Sequence, residues 1–177
     1  MTTIELVRHS KAQSRDRWWG KPDRDRPLTE VGHAQSKALA RQLAEGDPIV
    51  KLYSSPFARC LQTLEPLAGS LGLEITSEES LAEARTLPVL DGGDAWVASA
   101  WLGGRAISLV NRLCREHPAE RIVACTHGDV VPALMAVLAG RDELDIPEVR
   151  LKKAARFTLA FDGTRCVGAV AEPPPDV

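Results

Sequence analysis

The chain has no apolar run long enough to span a bilayer, and it does not open with the basic and then long apolar regions of a secretory signal. Neither a membrane anchor nor an export route is expected, and the reading is a cytoplasmic protein. Net charge is almost absent: 22 Lys and Arg stand against 24 Asp and Glu, a formal -2 with a sequence pI near 6.1. That balance gives no global attraction to a nucleic acid polymer or an anionic membrane, so any basic site has to be local. Cysteine is scarce and unpatterned. Cys60, Cys114, Cys125 and Cys166 show no C-x-x-C spacing, which argues against a zinc site or a disulfide framework and for buried free thiols. Repeats and linkers are missing too. What is present is 177 residues, 44% hydrophobic and 26% charged, enough to bury one core. The expected organisation is a single domain over residues 1–171 and an extended, poorly ordered tail, "EPPPDV", over 172–177.

Along that domain, residues 4–7 read as a short strand and 15–28 as a charged loop with Gly and Pro. Thr29 is placed to cap a helix whose Val31, Ala34, Ala38, Leu39 and Leu43 recur at helical spacing, with Gly46 as its stop. A strand over 49–55 comes next. Pro56 suits the first turn of a helix that runs to Gly72, with Pro66 predicting a kink or a break. "LEIT", 73–76, is another strand; Asp91, Gly92 and Gly93 mark a turn, after which Asp94 can cap a long helix to about Glu116. "RIVACT" is a β-branched run of the kind buried on both faces of a parallel sheet, and a helix succeeds it. "ARFTLAF" and "TRCVGAV" alternate around "DGT", a hairpin signal. The sum is an α/β chain of three layers, a mostly parallel sheet with helices on both faces and at least one antiparallel strand.

Three of these strands end in polar residues: "VRH" at Arg8 and His9, "YSSPFAR" leading to Arg59, and "CTHG" at Thr126 and His127. In open α/β sheets ligands bind at the carboxyl ends of strands. Two guanidiniums at that edge match phosphate oxygens, and the N-termini of the helices after Pro56 and Gly128 add N–H donors. A neutral imidazole beside a bound phosphoryl group can attack phosphorus, and a second can stabilise the equatorial oxygens.

These segments resemble the signatures of a known family. "LVRHSKA" is similar to the R-H-G or R-H-A signature of the histidine phosphatase superfamily, which has the phosphoglycerate mutase-like fold. "LYSSPFARCLQTLEPLA" resembles its second signature and "ACTHGDVV" its third, in the expected order over most of the chain. The resemblance implies that His9 is the phosphorylated nucleophile, that Arg8, Arg59 and His127 clamp the phosphate, and that Glu83 in "ESLAEA" is the proton donor, with Asp91 and Asp94 as substitutes. No metal or cofactor is implied. Ser10 stands where many members have glycine and Lys11 where they have glutamate. The loop "RDRWWGKPDRDRPL" and "RPLTEVGHAQ" look like the short phosphohistidine phosphatase branch and the phosphatase domain attached to some actinobacterial Nudix hydrolases, although no Nudix box is visible.

The expected substrate is a small phosphorylated metabolite or nucleotide, or a phosphohistidine on a protein. Ser10, Lys11, Arg15 and Trp18 are candidate substrate contacts, with Arg17 and Lys21 as further phosphate contacts and Trp19 open between stacking and packing. His33 and His117 read as surface residues without a role. A phosphoglycerate mutase-type phosphoryl transferase and a non-catalytic phosphate-binding module remain the alternatives; the short chain and the intact His9, Arg8, Arg59 and His127 weigh against them.

Overall fold

The computed structural model describes residues 1–84, 95–146 and 150–177. In chain order its elements are β1 (Thr2–Arg8), α1 (Glu30–Ala44), β2 (Ile49–Ser54), α2 (Ala58–Leu71), β3 (Ile75–Ser77), α3 (Ala95–Glu116), β4 (Arg121–Thr126), α4 (Val130–Asp142), β5 (Arg156–Asp162) and β6 (Arg165–Glu172). The strands form one sheet of order β3-β2-β4-β1-β5-β6. Pairings among β3, β2, β4 and β1 are parallel, while β5 runs antiparallel to both β1 and β6. The element order implied this mixed sheet with helices on both faces.

β1 and β4 are near-continuous apolar runs because both of their faces are covered. Ile4, Leu6, Ile122 and Ala124 pack with buried residues of α3 and α4, such as Leu109 and Leu134. Val7, Val123 and Cys125 turn the other way and pack with Leu39 and Leu43 of α1 and Leu64 and Leu67 of α2. One charge interrupts this pattern. Glu5 is 2% exposed in mid-strand, and its carboxylate is held by Arg121 (2.8 and 3.0 Å), Arg156 (3.2 Å) and Thr158 (2.8 Å) from the two neighbouring strands. A buried carboxylate is tolerated only when paired in this way.

Local details depart from the sequence reading. Thr29 does cap α1, its hydroxyl accepting from the Gly32 N–H at 3.1 Å. α2 begins at Ala58, not Pro56, with Phe57 as an extended N-cap. It runs unbroken through Pro66 to a left-handed Gly72, because Leu64 and Leu67 are fully buried on either side of the proline and hold both halves against the sheet. β6 reaches Glu172, one residue past the expected domain end, and Pro175 beyond it is buried. All four cysteines are buried and free. His117, read as an idle surface residue, bridges the Tyr53 hydroxyl (2.8 Å) and Glu120 (2.7 Å). Among the described residues no helix is long and apolar enough to cross a membrane.

Candidate active site

Because β4 lies between β1 and β2, the carboxyl ends of all three meet at one edge of the sheet. The residue after β1 is pinned from two sides. The His9 N–H donates to the Thr126 carbonyl (3.0 Å), and the Ala154 N–H donates to the carbonyls of Arg8 (3.1 Å) and His9 (3.3 Å). Helices hold the next two residues: the Ser10 N–H donates to Thr63 Oγ1 on α2 and the Lys11 N–H to Gln35 Oε1 on α1, both at 2.9 Å. Gly32 allows that approach, since a Cβ there would sit 2.0 Å from the Lys11 carbonyl oxygen.

The ring of His9 is oriented by one bond. Its Nδ1 lies 2.8 Å from the Ser10 carbonyl oxygen, which can only accept. Nδ1 therefore carries the proton, and the lone pair of the neutral ring sits on Nε2. Burial, reinforced by the charges of Arg59, Arg8 and Lys153, lowers the His9 pKa to about 3, so the ring is neutral at pH 7. His127 lies 5.4 Å away between ring centroids. Its Nε2 is 2.7 Å from Ser55 Oγ, and its Nδ1 is 3.3 Å from Arg59 Nη2 and 3.6 Å from Glu83 Oε2. Burial and the charge of Arg59 hold its pKa at about 2.

The guanidiniums are braced by backbone. Arg8 donates from Nη1 to the Leu151 carbonyl (2.5 Å), and it lies so close over Gly128 that a Cβ there would be 2.7 Å from its Cζ. Arg59 is fully buried, stacked 4.6 Å over the Phe57 ring and donating from Nη1 to the Asp23 carbonyl at 2.9 Å. The Nε atoms of Arg8 and Arg59 are buried and have no hydrogen-bond partner among the described residues. Two such donors are costly unless an anion meets them.

Glu83 is carried into this cluster by the chain after β3. The Thr126 hydroxyl donates to the Leu81 carbonyl (2.7 Å), Arg105 donates to the Ala82 carbonyl, and the Ala84 N–H donates to Asp129, the N-cap of α4, at 3.1 Å. Glu83 Oε1 then sits 3.0 Å from Arg59 and 3.4 Å from Arg15. Its neighbour Asp23 is 3.2 Å from Arg59 and 2.7 Å from Arg26, and the two carboxyl groups share a hydrogen bond. Burial raises the Glu83 pKa against the pull of Arg59, and Asp23 adds to the rise. Asp23 moves the opposite way. Although its own burial opposes this, the hydrogen bond with Arg26 and the charge of Arg59 hold it well below the usual carboxylate range. Two carboxyl groups pushed apart in this manner suit one to hold a proton and the other to stay ionised.

A cavity of about 1170 Å³ opens over His9, lined by Arg8, Lys11, Arg15, Glu83 and Lys153 among others. The sequence profile of the histidine phosphatase superfamily (branch 1) matches residues 4–88 and 100–170. The chain belongs to that superfamily. Its sequence is 31% identical over 175 residues to an 8-oxo-(d)GTP phosphatase of Mycolicibacterium smegmatis, covering 98% of this chain; the chain spans 49% of that relative's length. Among solved structures, Bacillus stearothermophilus YhfR superposes with a TM-score of 0.74 at 20% identity, over 99% of this chain and 98% of that one. The protein histidine phosphatase SixA, complexed with tungstate, gives a TM-score of 0.62 at 21% identity over 98% and 96%. At those identities the structures establish the fold, which is phosphoglycerate mutase-like.

Within this histidine phosphatase frame, Arg8, His9, Arg59, Glu83 and His127 come together. Lys11, Arg15 and Arg17 line the cavity. Ser10 does not. It is fully buried, and its hydroxyl accepts from Ser36 at 3.2 Å, so it packs the loop against α1. Trp18 is tied to its own loop, donating to the Pro22 carbonyl (2.9 Å) under the Lys21 ammonium, while Trp19 is 89% exposed. Asp91 and Asp94 lie outside the described residues. Sequence reading misses Asp23, Ser55 and Lys153. The alternating charges of "PDRDRPL" and the serine of "SSP" are signals for the first two; nothing local marks the third.

Proposed function

We propose that the chain is a metal-independent phosphatase that works through a phosphohistidine intermediate on His9. The observation that carries this reading is the bond from His9 Nδ1 to the Ser10 carbonyl, which commits a neutral imidazole to present Nε2 as nucleophile at the cavity floor. Arg8 and Arg59 bind the phosphoryl oxygens through donors that are otherwise unmet. His127, anchored at Nε2 by the Ser55 hydroxyl and facing Arg59 and Glu83 with Nδ1, stabilises the equatorial oxygens as charge spreads.

In the first step the Nε2–P bond forms and the bond from phosphorus to the leaving oxygen breaks. The leaving oxygen takes the proton of Glu83, whose raised pKa keeps it protonated more than an ordinary carboxyl. In the second step Glu83, now ionised, removes a proton from water as water attacks phosphorus. The N–P bond breaks and returns neutral His9. Nδ1 keeps its proton throughout, bonded to Ser10.

The test is phosphate release from sugar phosphates, nucleotides, an aryl phosphate and a phosphohistidine peptide, in the presence of a chelator. Release that persists with chelator and vanishes in His9→Ala is the expected result. Glu83→Gln should cost alkyl esters more than the phosphohistidine peptide, whose leaving group needs less help from an acid. No release from any substrate would overturn the phosphatase reading, and passage of the phosphoryl group to an acceptor in place of free phosphate would identify a mutase.

A further inference from the structure

Beyond the phosphate clamp, the cavity mouth gathers cations that the chemistry at His9 does not use. Lys11, Arg17 and Lys153 are exposed on its wall and form no ion pair among the described residues. Three acids share that wall, Glu30 in the first turn of α1 and two that are engaged elsewhere. Glu83 sits against Arg59 and Arg15, and Asp129 caps α4 and holds the Ala84 N–H.

Lys153 is held there by an uncommon backbone. The next residue, Ala154, is fully buried with a φ of 63°, in the left-handed region that non-glycine residues seldom adopt. Its N–H is spent on the carbonyls of Arg8 and His9, and the Ala155 carbonyl accepts from the Arg8 N–H at 3.0 Å. The loop before β5 is thereby stitched to the strand that carries the nucleophile. Burial, and then the charges of Arg8, Arg26, Lys11 and Arg15, lower the pKa of Lys153. The charges that act on it most are all cations.

We propose that Lys153, with Lys11 and Arg17, forms a second anion subsite at the mouth, and that the substrate is a phosphoanhydride whose next phosphate occupies it. This rests on the phosphatase reading and names its substrate class. Three cations that form no ion pair among the described residues match the charge of a further phosphate better than the single charge of a carboxylate. His9 would take the terminal phosphoryl group: the Nε2–P bond forms, the bridging P–O bond breaks, and its electron pair leaves on the departing phosphate before water completes the cycle. A nucleoside diphosphate, converted to the monophosphate, is the simplest member of the class.

The test compares kcat/KM for ADP, AMP and phosphoserine in the wild type, Lys153→Gln and Lys153→Arg. ADP should be the preferred substrate. In Lys153→Gln the ratio of ADP to AMP should fall roughly 10- to 100-fold, the loss of one hydrogen-bonded charge, and Lys153→Arg should restore most of it. A wild type that prefers AMP or phosphoserine, or a ratio that falls less than tenfold in Lys153→Gln, overturns the subsite. If His9-dependent release is absent for all three and for an aryl phosphate, the underlying phosphatase reading fails instead.

Discussion

Gly128→Ala puts one methyl group against Arg8, part of the proposed phosphate clamp. An ideal Cβ at that position lies 2.7 Å from Cζ and Nη2 of Arg8 and 2.9 Å from its Nε, where carbon contacts settle at about 3.5–4.0 Å. The guanidinium has to retreat by roughly 1 Å. It cannot swing freely, because Nη1 is bonded to the Leu151 carbonyl, so the retreat carries Nε away from the place proposed for a phosphoryl oxygen. A displacement of about 1 Å in a positioning group costs about 100-fold, and loss of one preorganised donor costs roughly 100- to 1,000-fold. We expect kcat/KM to fall about 100-fold, or about 2.7 kcal/mol of transition-state stabilisation. The assay is phosphate release from an aryl phosphate at pH 7, with Tm recorded alongside to show that the fold survives. If the methyl acts through Arg8, the double variant Gly128→Ala/Arg8→Ala is no slower than Arg8→Ala alone. Activity within threefold of wild type, or losses that add in full, would refute the reasoning.

Acidification is a second probe. His9 and His127 titrate near 3 and 2 when folded but near 6.5 when unfolded. The unfolded chain therefore takes up protons that the folded chain refuses, and the stability present above pH 6.5 is lost as pH falls toward those values, by up to about 1.4 kcal/mol per pH unit for each ring. Tm should drop between pH 7 and pH 4, and less steeply in His9→Gln/His127→Gln; equal slopes would count against buried neutral rings. Arg121→Ala removes two of the bonds to buried Glu5 and should destabilise by about 3–5 kcal/mol in urea unfolding. It lies at the opposite end of β4 from the site, so activity at 25 °C should stay within twofold, and an unchanged unfolding midpoint would contradict the assigned role of the ion cluster.

Residues whose function depends on where a strand ends are readable in advance. Arg8, His9, Arg59 and His127 each come after an apolar run, and the topology of an α/β sheet brings such ends together. Glu83 is readable only through its motif, since its delivery depends on Thr126, Arg105 and Asp129 reaching it from β4, α3 and the start of α4. Ser10 is misplaced by sequence because its neighbours along the chain are site residues, whereas its side chain meets Ser36 on a helix that arrives later. Asp23 stands out from the other charges of its loop, and Lys153 becomes visible at all, only once tertiary contacts set Asp23 beside Arg59 and Ala154 beside His9. Pro66 obeys packing over propensity, as buried Leu64 and Leu67 keep the helix whole.

The central place of β4 also orders the events of folding. β1 and β2 are neighbours in sequence but not in the sheet; until β4 has been made, β1 lacks its parallel partner and β2 has only the short β3. Glu5 waits for Arg121, 116 positions away. Pairings of that separation close slowly, because the entropy of a long loop is lost before any contact repays it. Arg8, His9 and Arg59 all precede β4 in the chain, so the proposed phosphate pocket depends on a strand made after them. The site is whole only with β4 between β1 and β2, carrying His127, and with the loop before β5 bonded to Arg8 and His9.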